Sequence, residues 1–411
     1  MELFVEFKRE VASDPFIDTR GPESKERFQK LFNTTCATRG QITLYSTRMQ
    51  MYQFCTCVFS VGIFGKVARL FRWDRAGAIV SAPIKYSAKG NCELAEFFYH
   101  FNLMDRTQRG WDPTVRDTTE EESNAFTQAI ETAVGKGNAG LLNSLLKSVG
   151  EPDDYPRKRI DTGEERSYIV GRSSVATKSP TGRATHGFVA MDTKTKKLVF
   201  LKDSWRLNLD EVKSEGHWYE RLDGARNIAA FSYRSDVVTY TKQGKKPQRT
   251  ITQEYSKSYC NIDCMMGYIH YQIVQSEFYI PLWMFKDSKN LTQIMYDTIL
   301  GKCILSAVQR SAAYSLSAMQ DLYQKGILHR DVSVPNIMIT VNSRGRLIDF
   351  NLAREVNYSG VRQTGRTVSS CVRKVPGVTH QLICDCHRAH GNLCRLDYSA
   401  CKGRFTNSMT I

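Results

Sequence analysis

The chain has no apolar stretch long enough to cross a bilayer. Its longest apolar run, Phe54–Gly65, is interrupted by Thr56 and Ser60 and followed by Lys66, well short of the ~20 residues a spanning helix needs. The N-terminus, MELFVEFKRE, lacks an unbroken apolar segment and a small-residue cleavage site, so it does not read as a secretory signal. No membrane association is expected, and the expected location is cytoplasmic or nuclear. Acidic residues are in deficit, with 42 Asp+Glu against 57 Lys+Arg and a formal charge of +15. No basic run exceeds Arg157–Arg159, and no nucleic-acid recognition motif is present, so the excess reads as an anion-attracting surface rather than a DNA or RNA face. Internal repeats and low-complexity tracts are absent as well. The 12 cysteines are mostly isolated, and in a reducing compartment they are expected as free thiols. What remains is 411 residues at 41% hydrophobic, enough for a sizeable core and two or three domains.

The pattern of residues divides the chain. Residues 1–40 are polar and mixed, with weak helical character. From Ile42 to Tyr86 the pattern is β, rich in branched and aromatic residues around the turn Arg75-Ala76-Gly77. Leu94, Phe97, Phe98 and Phe101 follow helical spacing, with Asn91 as the expected cap. Residues 125–150 read as two short helices broken at Gly135–Gly140, and Glu151–Arg166 has the composition of a linker. Strand, turn, strand, turn, helix, strand is expected from Ser167 to Tyr233. Lys242–Thr250 reads as a solvated loop, and the segment after it as a strand. A long helix is expected from Leu291 to Gln324, closed by Gly326 as a C-cap. Near the C-terminus, His380, Cys384, Cys386, His387, His390, Cys394 and Cys401 cluster, but their spacing matches no zinc ribbon or finger.

The chemistry is concentrated in ILHRDVSVPNIMITVNSRGRLIDF, Ile327 to Phe350. Asn336 lies five residues after Asp331, and two short strands joined by a turn lead to Asp349, 18 residues after Asp331. A hairpin of this kind sets Asn336 beside Asp349. Two oxygen ligands on adjacent strands suit magnesium, which takes one or two protein groups and completes its shell with phosphate and water. Asp331, on the loop before them, is placed to accept the proton of an attacking hydroxyl, the division of labour used in phosphoryl transfer.

His329-Arg330-Asp331, four residues, Asn336, then Asp349-Phe350 resembles the catalytic loop and metal-binding motif of eukaryotic protein kinases. The resemblance implies an upstream Gly-rich loop, a lysine and a glutamate. Gly182, Ala184, Gly187 and Val189 give the loop, with alanine at its second glycine. That alanine costs little if its φ stays negative. Lys202 ends an apolar strand, and Glu215 and Glu220 are both candidates for its partner. Glu215 shares the inward helix face with Val212, Tyr219 and Leu222, so Glu215 is preferred. LFRWDRAGAIVSAPIKY, TGRATHGFVAMDTKTKKLVFLKDSWR and ILHRDVSVPNIMI are similar to the fungal-type protein kinases, over roughly residues 42–364. This resemblance implies an α+β, bilobal kinase-like fold with a β-rich N-lobe over 165–281 and part of a helical C-lobe over 282–364. An extra N-terminal α/β region (1–150) precedes it and a divergent Cys/His-rich tail (365–411) follows. It also implies ATP and Mg2+, and a protein Ser/Thr hydroxyl as acceptor. The expected catalytic residues are Asp331, Lys202, Glu215, Arg330 and His329, with Asn336 and Asp349 on the metal. The substrate protein and the oligomeric state are left open.

The motif departs from the pattern in four places. Ser333 stands where many kinases carry a lysine directed at the γ-phosphate. Asn351 replaces the glycine after Asp349-Phe350. Leu300–Ala318 has no counterpart in the family pattern. No A-P-E-like signal and no long amphipathic helix follow Asp349, so an incomplete C-lobe is expected. A non-catalytic, nucleotide-binding module is therefore the competing expectation. A small-molecule phosphotransferase would more often show His-Gly-Asp, and Arg330 argues against it.

Overall fold

The structure is a computed structural model. It describes residues 2–17, 28–135, 139–163, 166–176, 179–241, 244–259, 265–298, 322, 325–340, 342–355 and 393–396. The tail cysteines and histidines other than Cys394 lie outside the described residues, as do Leu300–Ala318 and the two cysteines Cys260 and Cys264, whose spacing without nearby histidines reads as two loop thiols. No helix among the described residues is long and apolar enough to cross a membrane.

The N-terminal part is a sheet between two helices. β1 (Leu3–Lys8) runs parallel to β2 (Val58–Phe64), which continues antiparallel into β3 (Val67–Asp74) and β4 (Gly77–Ser81). Leu393–Leu396 joins parallel at the β4 edge. α1 (Asn33–Tyr52) covers one face, with Ile42 and Met49 against Phe64, Phe71 and Trp73. α2 (Glu93–Leu103) covers the other through Phe97 and Phe101. Asn91 accepts from the Glu93 N–H at 3.1 Å, one residue ahead of the helix cap at Cys92. Two expectations are corrected here. The helical segment extends to Tyr52, ten residues past the point where a β pattern was expected, and Leu3–Lys8 is a strand. α1 escapes a hydrophobic-period reading because its buried face carries Thr35, Thr38, Thr43, Ser46, Thr47 and Gln50. Several of these hydroxyls fold back on their own helix, Thr38 to Thr34 O (3.0 Å) and Thr47 to Thr43 O (2.7 Å), which satisfies them without a polar partner elsewhere.

A second, antiparallel sheet carries the motifs. Its elements are β5 (Val115–Asp117), β6 (Lys158–Gly163), β7 (Arg166–Val170), β8 (Val175–Ala176), β9 (His186–Asp192), β10 (Leu198–Leu207), β11 (Phe231–Asp236) and, after a hairpin of β12 (Val238–Thr241) and β13 (Gly244–Pro247), β14 (Tyr268–Gln275). The spatial order is β11-β14-β10-β9-β7-β6-β5, with β8 on β9. Glu151–Arg166 is thus not all linker, since β6 pairs with β5 and β7. Lys242–Thr250 likewise contains strand β13. The sheet draws residues 115–163 together with the strands that follow, across the division expected near residue 150. α3 (Glu120–Val134) and α4 (Ala139–Val149) are the expected helix pair, and α3 starts with a Thr119/Glu122 capping box. They pack on Ile169, Met191, Leu198 and Phe278.

α5 (Glu215–Arg221) lies on the same sheet face, further along β10. Beyond β14 the chain forms β15 (Ile280–Pro281), α7 (Ser288–Thr298), β16 (Ile327–Leu328), the hairpin β17 (Ile337–Ile339) and β18 (Gly345–Leu347), and β19 (Arg354–Glu355). α6 (Thr252–Tyr259) precedes β14. Of the long helix expected over Leu291–Gln324, residues 291–298 lie in α7, and most of the rest falls outside the described residues. One core joins the two halves, with Trp218, Tyr219 and Ile273 meeting Ile294, Ile337, Leu347 and Phe350. The fold is α+β and two-lobed around this seam, with the additional N-terminal α/β region packed behind the sheet.

Candidate active site

β10 places the lysine. In a strand, alternate residues face opposite sides, so Leu201 and Asp203 face away while Lys202 turns toward α5. Its cross-strand neighbours are Gly187 on β9 and Ile273 on β14. The ammonium is buried and meets two carboxylates, Glu215 Oε2 at 2.8 Å and Asp349 Oδ1 at 3.0 Å. Of the two glutamates weighed for this role, Glu215 is the one beside Lys202, while Glu220 pairs with Arg234 on the outer side at 2.8 Å. The two carboxylates outweigh burial and push Lys202 up, so it stays charged. Burial raises Glu215 against the pull of the lysine. Lys202 and Asn351 hold Asp349 down at about 2 despite burial.

His329 ties the loop bearing Asp331 to the strand that leads into Asp349. It is fully buried, donates through Nε2 to Ile348 O (2.9 Å), and accepts at Nδ1 from the Asp331 N–H (3.3 Å). Burial lowers its pKa, in keeping with the neutral tautomer these partners require. Its ring meets Phe350 edge-on at 4.6 Å. Asn336 donates its side-chain amide to Asp331 O (2.9 Å), and its backbone carbonyl accepts from the Ile348 N–H (3.0 Å). Asp331, Asn336 and Asp349 are therefore brought together through backbone contacts, as the hairpin spacing predicts.

Two residues of the site sit in the left-handed region, Arg330 at φ 72° and Asp349 at φ 66°. Such backbone strain clusters where a side chain must be aimed. Asn351, which stands where the family pattern has glycine, is not itself left-handed; Asp349 is, and the Asn351 amide donates to Asp349 Oδ1 at 2.6 Å. In the Gly-rich loop, Gly182 (φ 90°) and Ala184 (φ 43°) precede β9, while Gly187 and Val189 lie within it. The condition that Ala184 keeps a negative φ is not met. A left-handed alanine costs about 1–2 kcal/mol, and Ala184 is buried.

Sequence reasoning assigned no role to Tyr219. Its hydroxyl accepts from the Asp349 N–H (3.3 Å) and from Gln275 (2.9 Å), and its ring packs on Phe350 at 5.0 Å. It lies one helical turn beyond Glu215, so the signal was present in the spacing.

The donor set suits magnesium and a phosphate chain. Among the described residues every hydrogen bond to the Asp349 side chain lands on Oδ1, which leaves Oδ2 to a ligand. Asn336 directs its amide to Asp331, which leaves its Oδ1 as an acceptor. Hard oxygen donors in this number match Mg2+. Among the described residues no group of three or more His, Cys, Asp or Glu side chains is placed to hold a metal ion, so the fit rests on Asp349 and Asn336 with phosphate and water completing the shell.

The sequence model of the family described as Fungal protein kinase matches residues 41–385. The chain belongs to this family. It is also similar to serine/threonine-protein kinase STE20 of Kluyveromyces lactis, 29% identical over 86 residues that make up 20% of this chain and 8% of that protein. Serine/threonine-protein kinase pakA of Talaromyces marneffei is 29% identical over 83 residues, 20% of this chain and 12% of its own. STE20 of Saccharomyces cerevisiae is 29% identical over 86 residues, 20% and 9% respectively. The matched part thus spans about a tenth of the length of these curated relatives.

Proposed function

We propose that the chain transfers the γ-phosphoryl group of ATP to a Ser or Thr hydroxyl of a protein substrate. The observation that carries this is the single ammonium of Lys202 held by Glu215 at 2.8 Å and Asp349 at 3.0 Å. It joins the sheet, α5 and the metal-binding strand at one point, as a nucleotide-binding cleft requires. Magnesium, when bound through Asn336 and Asp349, neutralises charge on the phosphates. Asp331 takes the proton from the acceptor hydroxyl while His329 and Asn336 fix its loop. Lys202 binds phosphate oxygens, and Glu215 orients the lysine. The N-lobe over 165–281 and the C-lobe part over 282–364 belong to the same reading, with β5 and β6 extending the N-lobe upstream. A nucleotide-binding module without transfer is the second reading, favoured by Ser333, which leaves the loop after Asp331 without a cation.

Calorimetric titration with ATP, with and without Mg2+, tests the site, beside Asp349→Ala and Lys202→Met. Magnesium-dependent binding lost in both variants is expected, and binding that survives Asp349→Ala would remove the metal assignment. Transfer of labelled phosphate to a generic protein substrate then separates the two readings.

A further inference from the structure

The cleft contains a cation with no ionic partner among the described residues. Lys202 is shared by two carboxylates, and Ser333 supplies no charge. Arg183, between Gly182 and Ala184, forms no ion pair among the described residues, and there its guanidinium has one polar contact, Nη2 to Asn351 O at 3.5 Å. That contact reaches from the Gly-rich loop across the cleft to the segment bearing Asp349. The Arg183 charge also acts on Glu215, whose Oε1 is buried without a hydrogen-bond partner among the described residues.

The backbone around Arg183 is pinned. The Gly182 N–H donates to Arg75 O (2.8 Å), and Arg183 O accepts from the Trp205 N–H (2.7 Å). Ala184 is buried at φ 43°. Arg75 is itself buried and held by Gln50 of α1, Nη1 to Oε1 and Nη2 to the backbone oxygen, both at 3.1 Å. The N-terminal region therefore fixes the loop from behind, and the side chain is presented to the cleft without a large ordering cost.

We propose that Arg183 is the second phosphate-binding cation of this site, taking the place of the lysine that Ser333 replaces. A guanidinium suits this task because it stays charged and offers a planar fork to phosphate oxygens. The inference rests on the proposed nucleotide reading and adds to it a residue from the Gly-rich loop and a role for the N-terminal region.

Calorimetry with Mg·ATP and with adenosine, on the full chain, tests it. Arg183→Ala is expected to weaken Mg·ATP about 10- to 100-fold, the size of a charge-assisted contact, and to leave adenosine affinity in place. Arg183→Lys keeps most of the Mg·ATP affinity, and adding Ser333→Lys to Arg183→Ala restores part of the loss. Unchanged Mg·ATP affinity in Arg183→Ala overturns the proposal. So does an equal loss for adenosine, which would mark a collapsed loop. If the parent chain itself fails to bind Mg·ATP, the nucleotide reading falls and the proposal with it.

Discussion

Lys202 shows how much one side chain holds. Removing one partner of a buried ion pair leaves an uncompensated charge, at a cost of about 3–5 kcal/mol. Here Lys202→Met would leave Glu215 buried near Asp349 with no ammonium between them. Lys202→Met is expected to lower unfolding free energy by that order, and adding Glu215→Leu to recover much of it, because an apolar pair replaces a stranded carboxylate. Mg·ATP binding stays lost in both proteins. Urea denaturation beside calorimetry reads this, and a double variant no more stable than the single one contradicts it. Asp349 gives a pH signature. Its folded pKa, about 2, lies below the unfolded value, so its contribution is full above about pH 4 and fades as pH falls toward 2. The stability gap between the parent and Asp349→Asn should shrink across that window, and a constant gap would show that the carboxylate is not held as described. His329, Asp331, Asn336 and Asp349 were legible because a fixed spacing on a hairpin leaves little freedom. Tyr219, Arg183 and the amide of Asn351 were not, because their roles depend on which neighbour each side chain reaches.

At the scale of elements, α5 turns on one small residue. Gly216 reads in sequence as a weak point in a short helix. In the fold its N–H donates to the Tyr271 hydroxyl at 3.1 Å, and a Cβ there would stand 2.1 Å from Arg234 Cδ and 2.6 Å from that hydroxyl. Glycine is what lets α5 lie against β11 and β14 closely enough for Glu215 to meet Lys202. Gly216→Ala is expected to lift α5, weaken Mg·ATP binding and leave the N-terminal sheet folded. Hydrogen exchange would locate the loss of protection in α5, and unaltered protection there would contradict the argument. The strands of the second sheet that follow Arg166 and the helix pair α3–α4 were largely legible from branched residues, turn signals and the Gly135–Gly140 break, whereas β6 was hidden by a linker-like composition. α1 was not, because its buried face is made of hydroxyls and Gln50, and short β13 was not, because Lys245, Lys246 and Pro247 carry a loop composition.

Across the whole molecule, the far face of the sheet is tied to the N-terminal region by a buried polar network. His270 Nε2 meets Asp203 Oδ1 at 2.7 Å, its Nδ1 meets Gln248 Oε1 at 2.7 Å, and Gln248 donates to Asp112 at 2.8 Å. Trp205 stacks flat on the ring at 4.8 Å. Arg75 and His186 also face this network, and burial pushes His186 down to about 4. The carboxylates raise His270 against burial. A raised histidine contributes its full stability below about pH 6.5 and loses it as pH climbs through the folded value. The parent's advantage over His270→Gln should therefore be largest near pH 6 and narrow on the alkaline side, by denaturant titration at a series of pH values. An advantage that grows with pH would reverse the assignment.

Asp203 of this network and Lys202 of the cleft are consecutive residues with opposite charges on opposite faces of β10. A one-residue slip of β10 against its neighbours would turn each to the other face. Slipped one way, Asp203 would stand where Lys202 does, before Glu215 and Asp349; slipped the other way, Lys202 would stand where Asp203 does, beside His270 and Arg75. Either slip brings like charges together on one face of the sheet. The correct register of one strand is thus favoured by the charges of both layers that it separates.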